Sequence, residues 1–395
     1  MTFSSFLKLV AGFALLGQAL GQEWTRTNCT TIPIPASFPS SHTLPDPFLT
    51  FNGTRVSSKP QWMCRREEIR ALMQKYELGP KPMTSKVTAT YSGGTLSITV
   101  NDNGKSIRFT AGIRGGGTGG NAVPAVIGLG GSSLPMPSGV ATITYQNEQI
   151  AKTNPRAQGL FYDLYGADHK AGGLMAWAWG VSRIVDALEQ LGPATTGIDT
   201  KKLAVTGCSR NGKGAMLAGA FDDRIALTLP QEGGSGAAGC WRLATELKRQ
   251  GKDIEDANQI ITGDGWFARD FEPFAPKIDT LPEDHHYLVS LIAPRGVLVI
   301  ENSGIDYLGP MSSYGCSKAA EMVFNALGAA DAFGYSAASH GSSHCQLPAS
   351  QRDIVVAFGS RFLMGQNAKT DVFETDGNFQ FQASEWIPWT APTLQ

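Results

Sequence analysis

The stretch LAVTGCSRNGKGA, which runs from Leu203 to Ala215, decides how the rest of this chain is interpreted. It predicts an apolar strand that turns sharply at Ser209 and continues into a helix, the arrangement of a nucleophile elbow. A serine on such a turn exposes its hydroxyl, while the first N–H groups of the helix point at an oxyanion formed beside it. The pattern differs from GxSxG because Asn211 stands where the second glycine is expected and Gly212 follows it. An ordinary turn with a helix-capping serine is the alternative.

The N-terminal residues and the overall composition indicate an exported protein. Residues 1–21 combine Lys8, an apolar run and the small residues Ala19 and Gly21, as a secretory signal peptide does. No later stretch reaches the roughly 18 uninterrupted apolar residues that a transmembrane helix needs. A net charge of −1 and the lack of a basic cluster argue against nucleic acid or an anionic membrane as partners. We expect residues 22–395 to form one secreted, monomeric domain.

Cysteines and asparagine sequons point to the same compartment. An even number of cysteines in an exported chain favours disulfides, although their order along the chain does not fix the pairs. The first two are expected to pair, which would hold a Pro-, Ser- and Thr-rich segment on the surface. Sequons at Asn28 and Asn52 are expected to carry glycans. The six cysteines are Cys29, Cys64, Cys208, Cys240, Cys316 and Cys345.

Strand and helix patterns alternate along most of the chain. This alternation predicts an α/β fold with a mostly parallel sheet, which the first strands extend as an antiparallel edge. The segment 243–285 has no strand pattern and is expected to form a cap beside the site. Strands are predicted at 86–91, 95–101 and 105–113 and at the start of 124–133, 225–242, 295–310 and 331–348, the last of them the final strand; helices are predicted at 63–78, 171–192, 316–328 and 350–364.

A glycine pair follows the strand at the start of 124–133. In hydrolases with a nucleophile elbow, a loop at this place contributes N–H groups to the oxyanion hole. A plain turn explains Gly130 and Gly131 equally well, so both interpretations stay open.

A serine hydrolase also needs a base that takes the serine proton and a carboxylate that orients the base. With an elbow of this kind the chain order is serine, acid, histidine, so the base must follow the final predicted strand, where His340 and His344 lie. Cys208 precedes Ser209 and Cys345 follows His344, so a disulfide between these cysteines would hold nucleophile and base together. We therefore favour His344 over His340.

The carboxylate has two candidates at the ends of predicted strands. The carboxyl ends of parallel strands form the site in open α/β sheets, and both Glu232 and Asp306 follow such strands. Glu232 is preferred, with Asp306 as the alternative. His285 and His286 follow Asp284, which is expected to cap a helix, and are interpreted as structural rather than as a metal pair. Neither a metal nor another cofactor is expected.

Five separated blocks of the chain occur together in one order. In chain order they are AWAWGVSR, GCSRNGKGA, LPQEGGSGAAGCWR, DHHYLVSLIAPRG and HCQLP. Together they resemble the fungal glucuronoyl esterases, carbohydrate esterase family 15, over nearly all of the chain after residue 21. The resemblance implies an α/β-hydrolase fold, a three-layer αβα sandwich, with a metal-free serine mechanism. It also implies, as substrates, esters of 4-O-methyl-D-glucuronic acid such as those between glucuronoxylan and lignin alcohols.

The resemblance assigns roles to individual residues. It implies Ser209 as nucleophile, His344 as base, Glu232 as acid, Arg210 as oxyanion stabiliser and Lys213 as a donor to sugar hydroxyls. The place of Arg210 directly after the serine agrees with its role, and Lys213 lies one helical turn beyond the serine. A solvated helix lysine is the alternative for Lys213. The implied disulfides are Cys29–Cys64, Cys208–Cys345 and Cys240–Cys316.

The sequence departs from this family pattern on the sugar side. The family presents a glutamine and a glutamate toward the sugar and a tryptophan after the following strand, whereas this chain has Glu255, Gly263 and Tyr307 there. Asp264 is a nearby carboxylate that a small loop shift would bring to the place of the missing glutamate. Because a charge-assisted hydrogen bond contributes about 1.5–3 kcal/mol, we expect an altered preference for the sugar or its decoration.

Two other functions are compatible with the sequence. A carbohydrate esterase that acts on acetyl esters would use the same serine, acid and base. A carbohydrate-binding protein without activity would have no use for a nucleophile tied by a disulfide to its base, so the presence of Ser209, Glu232 and His344 argues against it.

Overall fold

The computed structural model describes residue 29 and residues 32–83, 86–132 and 134–395. The expected signal peptide at 1–21 and the sequon at Asn28 lie outside the described residues. Asn52, in the second sequon, is exposed, and its side-chain oxygen accepts hydrogen bonds from Thr50 and Thr54. Within the described ranges, no helix has the length and apolar character required to cross a membrane.

A ten-stranded mixed sheet forms the centre of the structure. The strands are β1 Lys86–Ser92, β2 Thr95–Asp102, β3 Lys105–Arg114, β4 Val123–Leu129, β5 Ala141–Tyr145, β6 Ile198–Cys208, β7 Ile225–Gln231, β8 Gly296–Glu301, β9 Phe333–Ala337 and β10 Val372–Thr375. Their order across the sheet is β1-β2-β3-β5-β4-β6-β7-β8-β9-β10. Strands β1, β2, β3 and β5 pair antiparallel, and every other neighbouring pair is parallel. The predicted α/β fold with an antiparallel edge is confirmed.

Helices connect the strands and cover both faces of the sheet. They are α1 Lys59–Met73, α2 Asn147–Ile150, α3 Leu160–Tyr165, α4 Gly173–Leu191, α5 Pro193–Thr196, α6 Arg210–Phe221, α7 Trp241–Arg249, α8 Ala257–Gly263, α9 His285–Ser290, α10 Pro310–Ala326, α11 Ala349–Phe362 and α12 Ala383–Trp386. The cap segment 243–285, which the structure describes in full, folds into helices and 3₁₀ turns and contains no strand.

Side chains of the central strands alternate between two apolar cores, as the period of a β-strand requires. In β6, Leu203 and Val205 belong to the larger core and Ala204 to the smaller one. Residues of α4, α6, α9 and α10 complete the larger core, whereas Val355 and Phe358 of α11 pack in the smaller core. The result is three layers, with the sheet between two layers of helices.

Some predicted boundaries are wrong. The strand at 333–337 is not the last one, because β10 follows it at the sheet edge. Neither β10 nor β5 was predicted, and at four and five residues these are among the shorter strands of the sheet. The helix expected at 316–328 begins earlier, at Pro310, where the fixed backbone angle of proline suits the first helical turn.

Candidate active site

Ser209 lies on the sharp turn between β6 and α6. Its φ of 60° and ψ of −129° are values that residues other than glycine rarely adopt. The turn needs Gly207, because a Cβ there would lie 2.4 Å from the Asn211 backbone oxygen. The Asn211 side-chain oxygen accepts a hydrogen bond from Asn147 of α2 at 2.9 Å, which accommodates the departure from GxSxG. Because the Ser209 hydroxyl caps no N–H of α6, a helix that the structure describes in full, the capping alternative is wrong.

Glu232 follows β7 and is fully enclosed, with 1% of its surface exposed. Its backbone also has a positive φ, of 45°. The carboxylate oxygen Oε2 lies 2.8 Å from Nδ1 of His344 and accepts the backbone N–H of Cys345 at 3.0 Å. Oxygen Oε1 lies 3.1 Å from Nε2 of His340. Two histidine rings and one backbone N–H therefore converge on this carboxyl group.

Both candidate histidines contact Glu232, but they differ in what their second ring nitrogen does. Nδ1 of His340 lies 2.9 Å from the backbone oxygen of Ala338, so both of its ring nitrogens face acceptors. Among the described residues, His344 makes a hydrogen bond through Nδ1 alone, and its side chain is 38% exposed against 11% for His340. With Nδ1–H donated to Glu232, Nε2 of His344 carries the lone pair that a general base needs. This geometry favours His344 as the base.

A disulfide joins the chain segments that carry Ser209 and His344. Cys208 and Cys345 are bonded, with their Cα atoms 5.7 Å apart, and a ring nitrogen of His344 lies within 4.8 Å of both sulfur atoms. No hydrogen bond joins Ser209 and His344 among the described residues; such contacts often tighten only when substrate binds. The other two disulfides are Cys29–Cys64 and Cys240–Cys316, so the structure contains the three implied pairs.

Arg210 presents two groups near the serine that can stabilise an oxyanion. As the first residue of α6 its backbone N–H has no carbonyl within the helix to bond. Its guanidinium is half exposed and lies 3.4 Å from the Glu148 carboxylate. The amides of Gly130 and Gly131 instead donate to backbone carbonyls, at 2.9 and 3.2 Å. In this structure the glycine pair therefore forms a turn and offers no free N–H to an oxyanion.

Lys213 is buried beneath the site, with 2% of its surface exposed. Its ammonium group donates to the backbone oxygens of Gly233 and Ser235, both at 2.7 Å, and to the Glu255 carboxylate at 3.0 Å. It also lies 5.0 Å from the centre of the Trp266 ring. All three ammonium protons have acceptors, so the alternative of a solvated lysine is wrong. Lys213 holds the segment after Glu232 and fixes Glu255.

Glu255 and Tyr307 meet beside Lys213. The Tyr307 hydroxyl donates to Glu255 at 3.2 Å, and the backbone N–H of Glu255 donates to the Tyr307 carbonyl at 2.9 Å. Burial raises the pKa of Tyr307 to about 12, and the Glu255 charge raises it as well, so the phenol keeps its proton. Tyr307 is 42% exposed and is one of the large apolar or aromatic side chains that face solvent. Through Tyr307, this pair is the solvent-accessible part of the hydrogen-bonded group around Lys213.

Asp264 and Asp306 lie around this pair in different ways. Burial raises the pKa of Asp264, and the nearby Glu255 charge raises it further, while Arg210 and Lys213 oppose the shift. Asp264 therefore shares the electrostatic environment of the site, whereas Gly263 only ends α8. Asp306 is exposed and makes no hydrogen bond to His340 or His344 among the described residues. The structure does not bring this alternative acid to either histidine.

Glu301 is a buried carboxyl group that the sequence analysis missed. It ends β8 with 1% exposure, and one carboxyl oxygen accepts the Gly234 N–H and the Ser313 hydroxyl, both at 3.2 Å. Its pKa is raised to about 8, chiefly by burial and also by the Glu232 charge, against the lowering effect of its two hydrogen bonds and of Lys213. A charged residue at the end of the apolar run of β8 was the available signal.

His285 and His286 are structural, as predicted. The Asp284 carboxylate accepts the N–H of His285 at the start of α9. The ring of His285 bridges the Ala237 carbonyl and Glu77, both at 2.7 Å, and His286 contacts a backbone oxygen at 2.8 Å. Burial lowers the pKa of His286 to about 4, so its ring is neutral at ordinary pH.

Comparison with known proteins identifies a matching family and similar proteins. Residues 98–328 match the family described as glucuronyl esterase of fungi. The 4-O-methyl-glucuronoyl methylesterase of Hypocrea jecorina is 49% identical over 93% of this chain and 79% of its own length. The protein of the same name from Thermothelomyces thermophilus is 46% identical over 98% of both chains.

A solved structure shows the same architecture with a sugar ester bound. It is the glucuronoyl esterase from Sporotrichum thermophile, as a serine-to-alanine variant in complex with methyl 4-O-methyl-β-D-glucopyranuronate. It is 46% identical to this chain, covers 92% of it and 99% of its own length, and superposes with a TM-score of 0.89. The chain therefore belongs to the fungal glucuronoyl esterase family.

Proposed function

We propose that this protein is a secreted serine esterase that hydrolyses esters of 4-O-methyl-D-glucuronic acid, with Ser209 as nucleophile, His344 as base and Glu232 as acid. The observation that carries the proposal is the 2.8 Å contact between His344 Nδ1 and the buried Glu232 carboxylate. The Cys208–Cys345 disulfide beside it keeps the histidine segment at the nucleophile. The names of the relatives and the sugar ester bound by the Sporotrichum thermophile enzyme support the substrate class.

In the first half of the reaction, His344 Nε2 takes the Ser209 proton while Oγ attacks the ester carbonyl carbon. Glu232 stays ionised and stabilises the imidazolium that forms. The tetrahedral intermediate then expels the alkoxide, which receives the proton from His344 and leaves as the alcohol. The sugar carboxyl remains bound to Ser209 as an acyl-enzyme.

The second half repeats the sequence with water. His344 takes a proton from water, the hydroxyl adds to the acyl carbon, and the Ser209 oxygen leaves and regains its proton from His344. The product is the free uronic acid, a carboxylate at neutral pH. The backbone N–H and guanidinium of Arg210 stabilise the oxyanion in both halves, a contribution that typically reaches about 2.7–4 kcal/mol per donor.

On the sugar side, Lys213 positions Glu255, and Glu255 and Tyr307 bind sugar hydroxyls. The role that the resemblance implies for Lys213, direct donation to sugar hydroxyls, would require it to release an acceptor, since its three protons are engaged. The negative charge of Glu255, and of Asp264 near it, makes the sugar contacts acceptor-rich. Sugar hydroxyls are donors as well as acceptors, so this arrangement suits them.

The biological setting is proposed from the same family. Residues 22–395 act as one catalytic domain after removal of the signal peptide at 1–21, and the substrate is the ester between glucuronoxylan and a lignin alcohol. The disulfides are compatible with an extracellular location. His344 is 38% exposed, so the alcohol that it protonates can extend into solvent.

Hydrolysis of a panel of esters by the wild-type protein and by Ser209→Ala tests this function. We expect the wild type to release 4-O-methylglucuronate from its methyl and benzyl esters and the variant to lose at least about 10³-fold in kcat. Hydrolysis of acetylated xylan without action on the glucuronate esters would select the acetyl esterase. Sugar binding without hydrolysis of any ester would select a binding protein.

The sugar preference is tested separately. Glu255, Gly263 and Tyr307 differ from the family pattern. The ratio of kcat/KM on methyl 4-O-methylglucuronate to kcat/KM on its unmethylated counterpart should therefore differ from the ratio that other members of the family show. Equal, family-like efficiencies on both esters would remove the argument for an altered preference.

A further inference from the structure

A large cavity lies behind the pair formed by Glu255 and Tyr307. Its volume is about 830 Å³, and it is bounded by α7, the start of α10 and the C-terminal segment 377–386. Two further walls are the segments 252–254 and 303–306. None of the catalytic residues proposed above lines it.

These two walls are continuous with the sugar side of the active site. The segment that ends at Ile254 in the cavity continues to Glu255 in the site, and Asp306 in the cavity precedes Tyr307 in the site. Glu255 and Tyr307 are joined by two hydrogen bonds, one through the backbone and one through the side chains. A cavity that shares its walls with the sugar-binding pair is placed to receive whatever the sugar is attached to.

The lining has the composition that binds uncharged sugars. Phe379, which is partly exposed, supplies apolar ring surface for the C–H face of a pyranose. Asp306, Asn378 and Gln380 supply acceptors and donors for its hydroxyls, and the last two are joined by a hydrogen bond of 3.1 Å. The lining carries three carboxylates, of Glu246, Asp306 and Glu385, beside Lys252 and His42, and Arg249 pairs with Glu246. The carboxylates of Asp306 and Glu385 disfavour a second uronate or a released carboxylate in the cavity.

We propose that this cavity binds neutral pyranose units of the polysaccharide chain that carries the esterified glucuronate. The proposal rests on the proposed function, which places the uronic acid between Ser209 and the Glu255–Tyr307 pair. The alcohol of the ester leaves beside His344, whereas the cavity walls continue from the residues that hold the sugar ring. The polysaccharide therefore fits the cavity better than the alcohol does.

Two substrates with the same scissile bond test the proposal. One is the methyl ester of 4-O-methylglucuronic acid as its methyl glycoside, and the other is the same methyl ester carried on xylotriose. We expect the wild type to prefer the xylotriose substrate by about fivefold in kcat/KM, through a lower KM, which corresponds to one net hydrogen bond. Equal kcat/KM values on the two esters would overturn the proposal.

Variants locate the effect in the cavity. Phe379→Ala, and separately the double variant Asn378→Ala with Gln380→Ala at exposed positions, should reduce the preference for the chain to less than about twofold. Both should leave kcat/KM on the monosaccharide ester unchanged. Gln366→Ala, at an exposed position outside the cavity lining, is the matched control and should keep the full preference.

The outcomes distinguish this inference from the proposed function. No hydrolysis of either ester would overturn the proposed function, and this inference with it. A preference for the chain that survives all the cavity variants would overturn the inference alone. A loss in Phe379→Ala that is confined to the benzyl ester of the monosaccharide would assign the cavity to the alcohol and contradict the proposal.

Discussion

The two sides of the active site are held in different ways. On the catalytic side, backbone conformation and a covalent bond set the positions: Ser209 and Glu232 both have positive φ angles, and a disulfide joins the neighbours of Ser209 and His344. On the sugar side, side-chain hydrogen bonds and an ion pair among Lys213, Glu255 and Tyr307 set them.

This difference teaches that the chemistry and the sugar specificity are separable in this molecule. A substitution on the catalytic side removes a group that no other residue can replace, so it should lower kcat. A change on the sugar side alters contacts that exist before and during the reaction alike, so it should act on stability or KM.

The largest effect, on kcat, is expected from a substitution of His344, one of the two histidines that contact Glu232. His344→Gln should lower kcat on methyl 4-O-methylglucuronate by at least about 10³-fold, because it removes the proposed base for the Ser209 proton. His340→Gln is the matched control and should cost less than about tenfold, because both ring nitrogens of His340 already face acceptors. Steady-state kinetics of both variants decides the assignment. Comparable losses in the two would show that the catalytic side works through a histidine pair.

Much of the catalytic side could be predicted from sequence because its signals are local. The elbow around Ser209 is a contiguous sequence pattern. The cysteines adjacent to Ser209 and His344, which are 137 residues apart in the sequence, form a disulfide that brings these two segments together. The contact between His340 and Glu232 was not predicted, because spacing along a loop does not show which way each ring turns.

The surroundings of Lys213 could not be predicted, since its acceptors lie 20, 22 and 42 residues away along the chain. They depend on how the cap segment packs, and that segment has no strand pattern to align it. Glu301 was missed for a similar reason, because its burial depends on the neighbouring strands. Strands β5 and β10 are too short for an alternating pattern to identify them.

The next largest effect is on stability and concerns Lys213. Lys213→Met would leave the carboxylate of Glu255 buried without a cation and should lower the free energy of unfolding by about 3–5 kcal/mol. Adding Glu255→Gln to Lys213→Met should restore most of this loss. Urea unfolding of the three proteins measures the effect. Lys170→Met, which removes a lysine from an exposed ion pair with Asp270, is the control and should cost about 1 kcal/mol or less.

If Lys213→Met unfolded at the same urea concentration as the wild type, the sugar side would not depend on this ion pair. The contrast between the two sides of the site would then be lost.

A smaller effect on stability should appear as a dependence on pH through Glu301. Its pKa is raised from 4.5 to about 8, first by burial and then by the Glu232 charge, so the folded protein keeps a proton that the unfolded chain releases near pH 4.5. The stabilisation from this group is therefore fully present below pH 4.5 and is lost as pH rises to about 8. Glu301→Gln stays neutral and should show a shallower decline. Parallel stability curves for both proteins between pH 5 and 8 would contradict the burial argument.

The smallest effect is expected on the exposed edge of the sugar side. Tyr307→Phe removes the hydroxyl that donates to Glu255 and that we propose binds the sugar, and it should raise KM about fivefold with kcat unchanged. Tyr91→Phe, on β1 far along the sheet from the elbow strand, is the control. A fall in kcat at constant KM would show that Tyr307 acts in the chemical step, against the separation of the two sides.

The most direct test of the central claim is the rate at which a serine-reactive fluorophosphonate labels Ser209, followed by peptide mass spectrometry. The reagent needs an activated serine but no sugar contact, so it isolates the catalytic side. The account predicts a single label, on Ser209, whose rate falls at least about 10³-fold in His344→Gln and changes little in Tyr307→Phe. Labelling of another residue, or an unchanged rate in His344→Gln, would contradict it.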